Sequence, residues 1–251
     1  MPDLTRFARP TLLLALTTGF FTVPQRLNAQ DGYFFRPPAA TFNLRVGAAA
    51  PAAHDDLFKF FTQQLTLSQG DFRTTAVAAD LGIRAAPRFD IVIGVGFDRS
   101  NNRSEFRDWV DQDDQPIEQT TRLLRIPLTV SGKYYLTERG RSVSRLAWVP
   151  VQTLTPYLTA GAGVMFYGLK QEGDFVNFET LDVFSSRLAS DGTGTLLHVG
   201  AGAEWWLSKS LGLTAEGRYA WSSAQLDSEF SDFDRIDLRG AQVTTGLAVR
   251  F

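Results

Sequence analysis

In eight stretches between Thr41 and Phe251, apolar side chains return at every second residue. Period two is the repeat of a strand, whose successive side chains leave by opposite faces. A chain built this way must find a cover for eight apolar faces, and few folds provide one. In the first stretch, "TFNLRVGAA", Phe42, Leu44, Val46 and Ala48 share a face. In "TAVAADLGIRA" it is Val77, Ala79, Leu81, Ile83 and Ala85, and in "FDIVIGVGF" it is Phe89, Ile91, Ile93, Val95 and Phe97. "LLRIPLTVSGKYYL" aligns Leu124, Ile126, Leu128, Val130 and Tyr134, with Pro127 against the pattern. A proline removes a ladder donor, so a bulge is expected there.

The fifth stretch, "PYLTAGAGVMFYG", aligns Leu158, Ala160, Ala162, Val164 and Phe166. The sixth, "LLHVGAGAEWWL", aligns Leu197, Val199, Ala201, Ala203 and Trp205. The seventh, "LGLTAEGRYAW", aligns Leu213, Ala215, Tyr219 and Trp221. The last, "GAQVTTGLAVRF", aligns Ala241, Val243, Leu247, Val249 and Phe251. Long polar connections are expected at 50–73, 98–120, 169–194 and 222–236, with tight turns at Ala86-Pro87-Arg88 and Ser208-Lys209-Ser210. The connection after the fourth stretch, "TERGRSVSRLAWVPVQTLT", is long where a short turn is expected. "DDLFKFFTQQL" in the first connection has the pattern of a short helix.

The N-terminus carries Arg6 and Arg9, an apolar run from Thr11 to Val23, and Leu27-Asn28-Ala29 before Gln30. This is the order of a secretory signal peptide, cut after Ala29. The apolar run is too short for a helical span, which needs roughly 20 residues. The domain reading is therefore signal peptide 1–29, a short periplasmic leader 30–38, and one β domain 39–251. The sequence has no cysteine, so neither a disulfide framework nor a lipid anchor on Cys is expected. A net charge of -2 and a pI near 5.7 give no basic stripe for nucleic acid.

Alternation alone does not say whether the apolar face points inward, as in a secreted lipocalin-type barrel, or outward into lipid. The glycines separate the two. Gly47, Gly82, Gly94, Gly96, Gly161, Gly163, Gly200, Gly202 and Gly246 all fall on the polar face. Glycine weakens a strand unless space is short, and the lumen of an eight-stranded barrel is only wide enough for side chains. The aromatics agree. Phe42, Phe89, Tyr134, Trp205 and Phe251 fall at one end of their strands, and Phe97, Phe166, Tyr219 and Trp221 at the other. Two aromatic rings around an apolar band are the girdles of a transmembrane barrel, and strands of about 9–11 residues suffice to cross. The fold class predicted is all-β: an eight-stranded, antiparallel, up-and-down transmembrane β-barrel.

On these features, and on the terminal "TTGLAVRF", the chain resembles the small outer-membrane β-barrel proteins of Gram-negative-type bacteria, of the OmpX, OmpW and OmpA membrane-domain types. The resemblance is one of architecture and covers residues 38–251. It implies a monomer in the outer membrane with both termini in the periplasm, in contact with outer-membrane lipid. It also implies that the barrel-assembly machinery reads the C-terminal strand, with Leu247, Val249 and Phe251 as the signal. Unlike OmpA, the chain is expected to carry no peptidoglycan-binding domain after the last strand.

The polar face holds Arg45, Asp80, Arg84, Arg125, Lys133, Glu204, Glu216 and Arg218, with His198. An unpaired buried charge is costly, so these residues must pair, as a salt-bridge core or as an ion path or gate. Arg45 with Asp80 is the pair expected on adjacent strands. His198 lacks a serine two places on, and His54 lacks a nearby nucleophile, so no catalytic residue is assigned and no enzyme is expected. No cofactor is expected, and no metal-type histidine cluster is present. The acidic "EFRDWVDQDDQPIEQ" matches no EF-hand spacing. Phe58, Phe60, Phe61, Phe175, Phe178 and Phe184 would plug the barrel mouth or meet a partner. The function expected is structural, adhesive or surface-interacting and carried by the loops. The alternatives are a porin-like narrow pore or conduit for small hydrophobic molecules, and a lipid-modifying enzyme.

Overall fold

The computed structural model describes residues 36–144, 147–150, 153–177, 180, 182–230 and 233–251. The expected signal peptide, most of the leader and Phe178 lie outside the described residues. The strands are β1 (Ala40–Pro51), β2 (Thr74–Ala86), β3 (Phe89–Val110), β4 (Pro116–Tyr135), β5 (Gly140–Ser144), β6 (Ala147–Pro150), β7 (Leu154–Val176), β8 (Val183–Trp206), β9 (Leu211–Gln225), β10 (Arg235–Asp237) and β11 (Gly240–Arg250). Among the described residues, eight of them form a closed antiparallel ring in the order β9-β11-β1-β2-β3-β4-β7-β8, with β8 returning to β9. The seam closes where β1 meets β11, in one register from Thr41↔Arg250 to Pro51↔Gly240. Closure removes the edges that a sheet of this length would otherwise expose.

The apolar faces point outward. Leu44, Ile93, Val130, Leu158, Val199 and Leu247 are about half exposed, and most buried positions beside them are polar. Both aromatic rings stand on this outer face, with Phe42, Phe89, Tyr134 and Trp205 at the end that holds the barrel termini and Phe97, Phe166 and Trp221 at the other. Only lipid makes such a surface favourable around a whole circumference.

Two of the four long connections prove to be mostly strand. β3 and β4 run on as a ladder to Val110↔Pro116, and β7 and β8 run on to Val176↔Val183. The strands therefore exceed the expected length, at 22, 20, 23 and 24 residues for β3, β4, β7 and β8. The extensions look loop-like in sequence because the solvent outside the barrel has changed. Beyond the aromatic ring the outer face meets water and becomes polar, while the inner face becomes apolar. Phe106, Ile117, Leu123, Leu169 and Leu196 are all buried there.

The expected bulge at Pro127 is absent. Register is unchanged from Val95↔Leu128 to Asp98↔Arg125, and Pro127 pairs with Met165 on the other side. Gly96 explains this, since a Cβ on it would lie 2.8 Å from Pro127 Cγ. The glycine leaves the lumen room that the proline ring takes. The β2–β3 ladder does shift, between Arg84 and Ala86, beside the turn.

The first connection contains the helix suggested by its sequence, α1 (Asp56–Gln64). Asp55 caps it, accepting from the Phe58 amide at 2.9 Å. Leu57, Phe58 and Phe61 are buried on one face, in the helical i, i+1, i+4 pattern. The long connection after β4 folds into the small β5–β6 hairpin at the opposite end of the barrel.

Candidate functional site

The lumen brings charged side chains of many strands together, because every second residue of each strand enters it. At membrane level Arg45 is the hub. One of its Nη atoms lies 2.6 Å from Asp80 and the other 2.7 Å from Glu216. Asn43 donates to Asp80 at 2.7 Å, and Arg218 holds the second oxygen of Glu216 at 2.8 Å. Tyr157 donates its hydroxyl to Glu216 at 3.0 Å. Toward the barrel termini, Lys133 pairs with Glu204 and stands 3.8 Å from the Tyr157 ring centroid. Toward the other end, Arg125 forms a bidentate pair with Asp98 at 2.9 and 3.1 Å and donates to the Leu238 carbonyl.

Seven of the eight residues expected in the lumen network are thus in ion pairs. Arg84 stands apart, at the barrel end that holds the termini, with its guanidinium 5.5 Å from the Trp148 ring centroid. Sequence reasoning left Asp90, Asp98 and Arg139 out of the network. Asp98 seemed to begin a loop, and Arg139 belongs to the connection after β4. Arg139 returns into the barrel end to pair with Asp90 at 2.8 Å and to lie over the Tyr135 ring. A signal was available for Asp90, which shares the parity of Gly94 and Gly96 on its strand.

His198 meets Ser131 at 2.8 Å inside the lumen. Its Nδ1 has no protein partner, so the pair lacks the carboxylate that would orient the ring for base catalysis. Among the described residues no group of His, Cys, Asp or Glu is arranged to hold a metal ion.

Both ends of the lumen are filled. At one end Trp148 of the β5–β6 hairpin is buried between Arg84 and Arg250, and Arg250 also lies 3.9 Å over the Trp206 ring centroid. At the other end α1 sets Leu57, Phe58 and Phe61 into the apolar layer above the charged one. Phe58 and Phe72 pack edge to face at 4.9 Å. Phe60 is partly buried against Phe233, whereas Phe175 and Phe184 stack on the outer extension. Asp55 ties the helix down, accepting from the Asp237 amide with its second oxygen. Burial pushes the Asp55 carboxyl above its usual range, against the hydrogen bonds it accepts. Burial acts on Asp237 in the same sense, but its hydrogen bonds from Arg239 outweigh it and hold that carboxyl below the usual value. Cavities beside His198 and Arg218 amount to about 30 Å³ and about 10 Å³, the scale of single water molecules.

A closed ring of eight strands with a lipid-type exterior and a charged, packed interior defines a small transmembrane β-barrel of the outer-membrane kind. No family model matches the chain, and no curated protein matches it. Solved structures similar to it include bacterial outer-membrane barrels. The outer membrane protein OprG from Pseudomonas aeruginosa is 13% identical, over 87% of this chain and 99% of that chain, with a TM-score of 0.46. Neisserial surface protein A is 14% identical, over 84% and 96%, with a TM-score of 0.43. Ail, the attachment invasion locus protein of Yersinia pestis, is 10% identical, over 88% and 100%, with a TM-score of 0.42.

Proposed function

We propose that this chain is a monomeric outer-membrane barrel whose work is done outside the membrane, by the extended β3–β4 and β7–β8 hairpins, in a structural or surface-interaction role. The observation that carries the reading is the pairing of an occluded lumen with outward growth. The β3–β4 ladder continues 13 residues past Phe97, about 43 Å along the strand. A protein selected for conduction has no need of that sheet. In this reading the signal peptide is removed after Ala29 and both termini of the barrel face the periplasm. The barrel-assembly machinery reads Leu247, Val249 and Phe251, outer-membrane lipid is the surrounding partner, and nucleic acid is not one.

A conduit for small hydrophobic molecules is the second reading. What favours it is the apolar layer under α1, which the helix itself fills with Leu57, Phe58 and Phe61. Planar-bilayer recording tests the choice. The purified barrel should give no stable single-channel current, and shortening both hairpins to the aromatic ring should abolish cell-surface binding while the barrel stays folded. Stable currents from the intact monomer, or full binding without the hairpins, would refute the first reading.

A further inference from the structure

Two small chambers adjoin in the lumen at the level of the charged layer. One, of about 30 Å³, is lined by Arg125, His198, Arg218 and Gln242 among others. The next, of about 10 Å³, is lined by Arg45, Asp80, Arg218 and Gln242, and Pro127 and Thr129 border both. Register brings these residues together. Gln242 on β11 is the direct cross-strand partner of Arg218 on β9, and His198 on β8 is that of Ala220, two residues further along β9. Glycine leaves the room, since a Cβ on Gly94 would lie 3.1 Å from Thr129 Oγ1 and 3.5 Å from Asp80 Cβ.

The lining is rich in donors and poor in free acceptors. Three guanidinium groups, those of Arg45, Arg125 and Arg218, line the chambers against two carboxylates, Asp80 and Asp98. Both oxygens of each carboxylate are already engaged. Those of Asp98 accept from Arg125 at 2.9 and 3.1 Å, and those of Asp80 from Asn43 at 2.7 Å and Arg45 at 2.6 Å. Arg218 turns Nε and Nη2 toward one oxygen of Glu216, at 3.0 and 2.8 Å, and its side chain also borders both chambers. Arg45 Nε and His198 Nδ1 are buried and, among the described residues, have no hydrogen-bond partner. His198 is 2% exposed. When Ser131 donates to its Nε2, the ring proton sits on Nδ1 and adds one more donor. Buried donors left unmatched are costly.

Three occupants compete on chemistry. A water would accept these bonds but bring two protons of its own, for which the neighbouring carboxylates are already engaged. A cation would meet three guanidinium groups. An anion only accepts, and in a low-dielectric interior its attraction to those groups is strong. A halide is little larger than a water and suits a chamber of about 30 Å³, whereas phosphate and sulfate are too large for it. We propose that the chamber between Arg125, His198, Arg218 and Gln242 binds a single monovalent anion of halide size. The ion ties β4, β8, β9 and β11 across the lumen and occupies space that the side chains leave. The site does not depend on which end of the barrel faces the cell exterior.

The test uses the mature full-length protein folded in phosphatidylcholine vesicles, with urea unfolding followed in sodium chloride and in sodium gluconate at equal ionic strength. An anion held only by the folded state lowers the unfolding equilibrium constant by one plus the ratio of its concentration to its dissociation constant, about elevenfold at ten times that constant. Chloride should give a shift of this kind that grows with concentration, and gluconate, too large to enter, should not. Ala220→Val adds bulk to the chamber wall and keeps every charge, so it should remove the chloride shift. Gln242→Leu, which removes a donor, should do the same. Crystals of the parent grown in sodium bromide should show an anomalous-scattering peak between Arg125 and Arg218. Equal unfolding in the two salts, or an undiminished chloride effect in both variants, overturns the site. Absence of the bromide peak from the chamber overturns it as well, whether or not the variants fold.

Discussion

Arg45 reaches Glu216 across an intervening strand. Arg45 lies on β1 and Glu216 on β9, and β11 stands between them, yet the two side chains meet at 2.7 Å. The residue of β11 opposite Arg45 is Gly246, so no side chain blocks the crossing. One guanidinium therefore joins β2, through Asp80, to β9 over the seam where the chain closes on itself.

Arg45→Ala should leave Asp80 and Glu216 buried with less compensation. Breaking a buried ion pair from one side costs about 3–5 kcal/mol. Equilibrium urea unfolding in lipid vesicles should show a loss of that order, larger than for Arg88→Ala, whose pair with Glu138 is exposed beside the β2–β3 turn. Equal effects of the two substitutions would remove Arg45 from its place as hub.

Gly246→Ala tests the crossing itself. A Cβ there would lie 1.9 Å from the Leu44 carbonyl oxygen, so backbone must shift. Overpacking of this kind costs about 1–3 kcal/mol. Gly217→Ala is the matched control, because nothing lies within 4 Å of a Cβ at that position. Folding yields of the two variants in detergent should differ clearly, and matching yields would show that the seam tolerates bulk.

Asp55 should hold α1 by shape more than by charge. Asn is as good a helix cap as Asp, and Ala costs about 1 kcal/mol. Hydrogen exchange over 56–64 should speed up most in Asp55→Ala and less in Asp55→Asn, which keeps the cap on Phe58 but turns a donor toward the Asp237 amide. Burial raises this carboxyl's pKa in the folded state, so the folded state binds its proton the more tightly. Its effect on stability is thus more favourable below the raised pKa and less favourable as pH rises through it. Mild acid should not unseat the helix through Asp55, and faster exchange in acid that Asp55→Asn abolishes would reverse that reading.

Protease added to intact cells should cut at the hairpin tips, 111–115 and 177–182, and spare 98–110. The extensions are laddered strand whose inner face is packed, and cleavage needs local opening. Early cuts at 87–88 or 207–210 would place those turns outside and invert the proposed topology.

Deleting Phe251 should lower outer-membrane insertion in cells far more than it lowers refolding in detergent. Its backbone oxygen accepts from the amides of Ala39 and Ala40, at 2.7 and 2.9 Å, while its side chain is exposed on the lipid side. Loss of that ring's burial in lipid accounts for about 1.5–3 kcal/mol. Recognition by the assembly machinery would be lost in addition. Normal insertion of the truncated protein would leave Phe251 an ordinary girdle residue.

The period-two pattern determined the strands at membrane level, their facing and the antiparallel closure of β11 on β1. It did so because lipid, lumen and pleat each act on single residues at fixed parity, and Val243, Leu247 and Gly246 carry that information locally. The glycines on the lumen face carried the inside-out sense for the same reason. Beyond the aromatic ring the same parity was misleading. Arg99, Arg103 and Ile117 read as loop residues because the code of lipid outside and charge inside had been replaced by water outside and an apolar core inside. Only the hydrogen-bonded ladder, which does not depend on side-chain polarity, shows that β3 and β4 continue.

The tertiary structure alone decided which charges meet. Arg45 to Glu216 is a contact over two strands, set by barrel curvature and by a missing side chain at Gly246. Arg139 and Trp148 come from a connection whose return into the barrel end has no periodic signal. The like-charge pair Arg122–Lys170 exists only through the β4–β7 register, which joins residues 48 positions apart. Local pattern fixes each strand's faces; register and closure, which are properties of the whole ring, fix its neighbours.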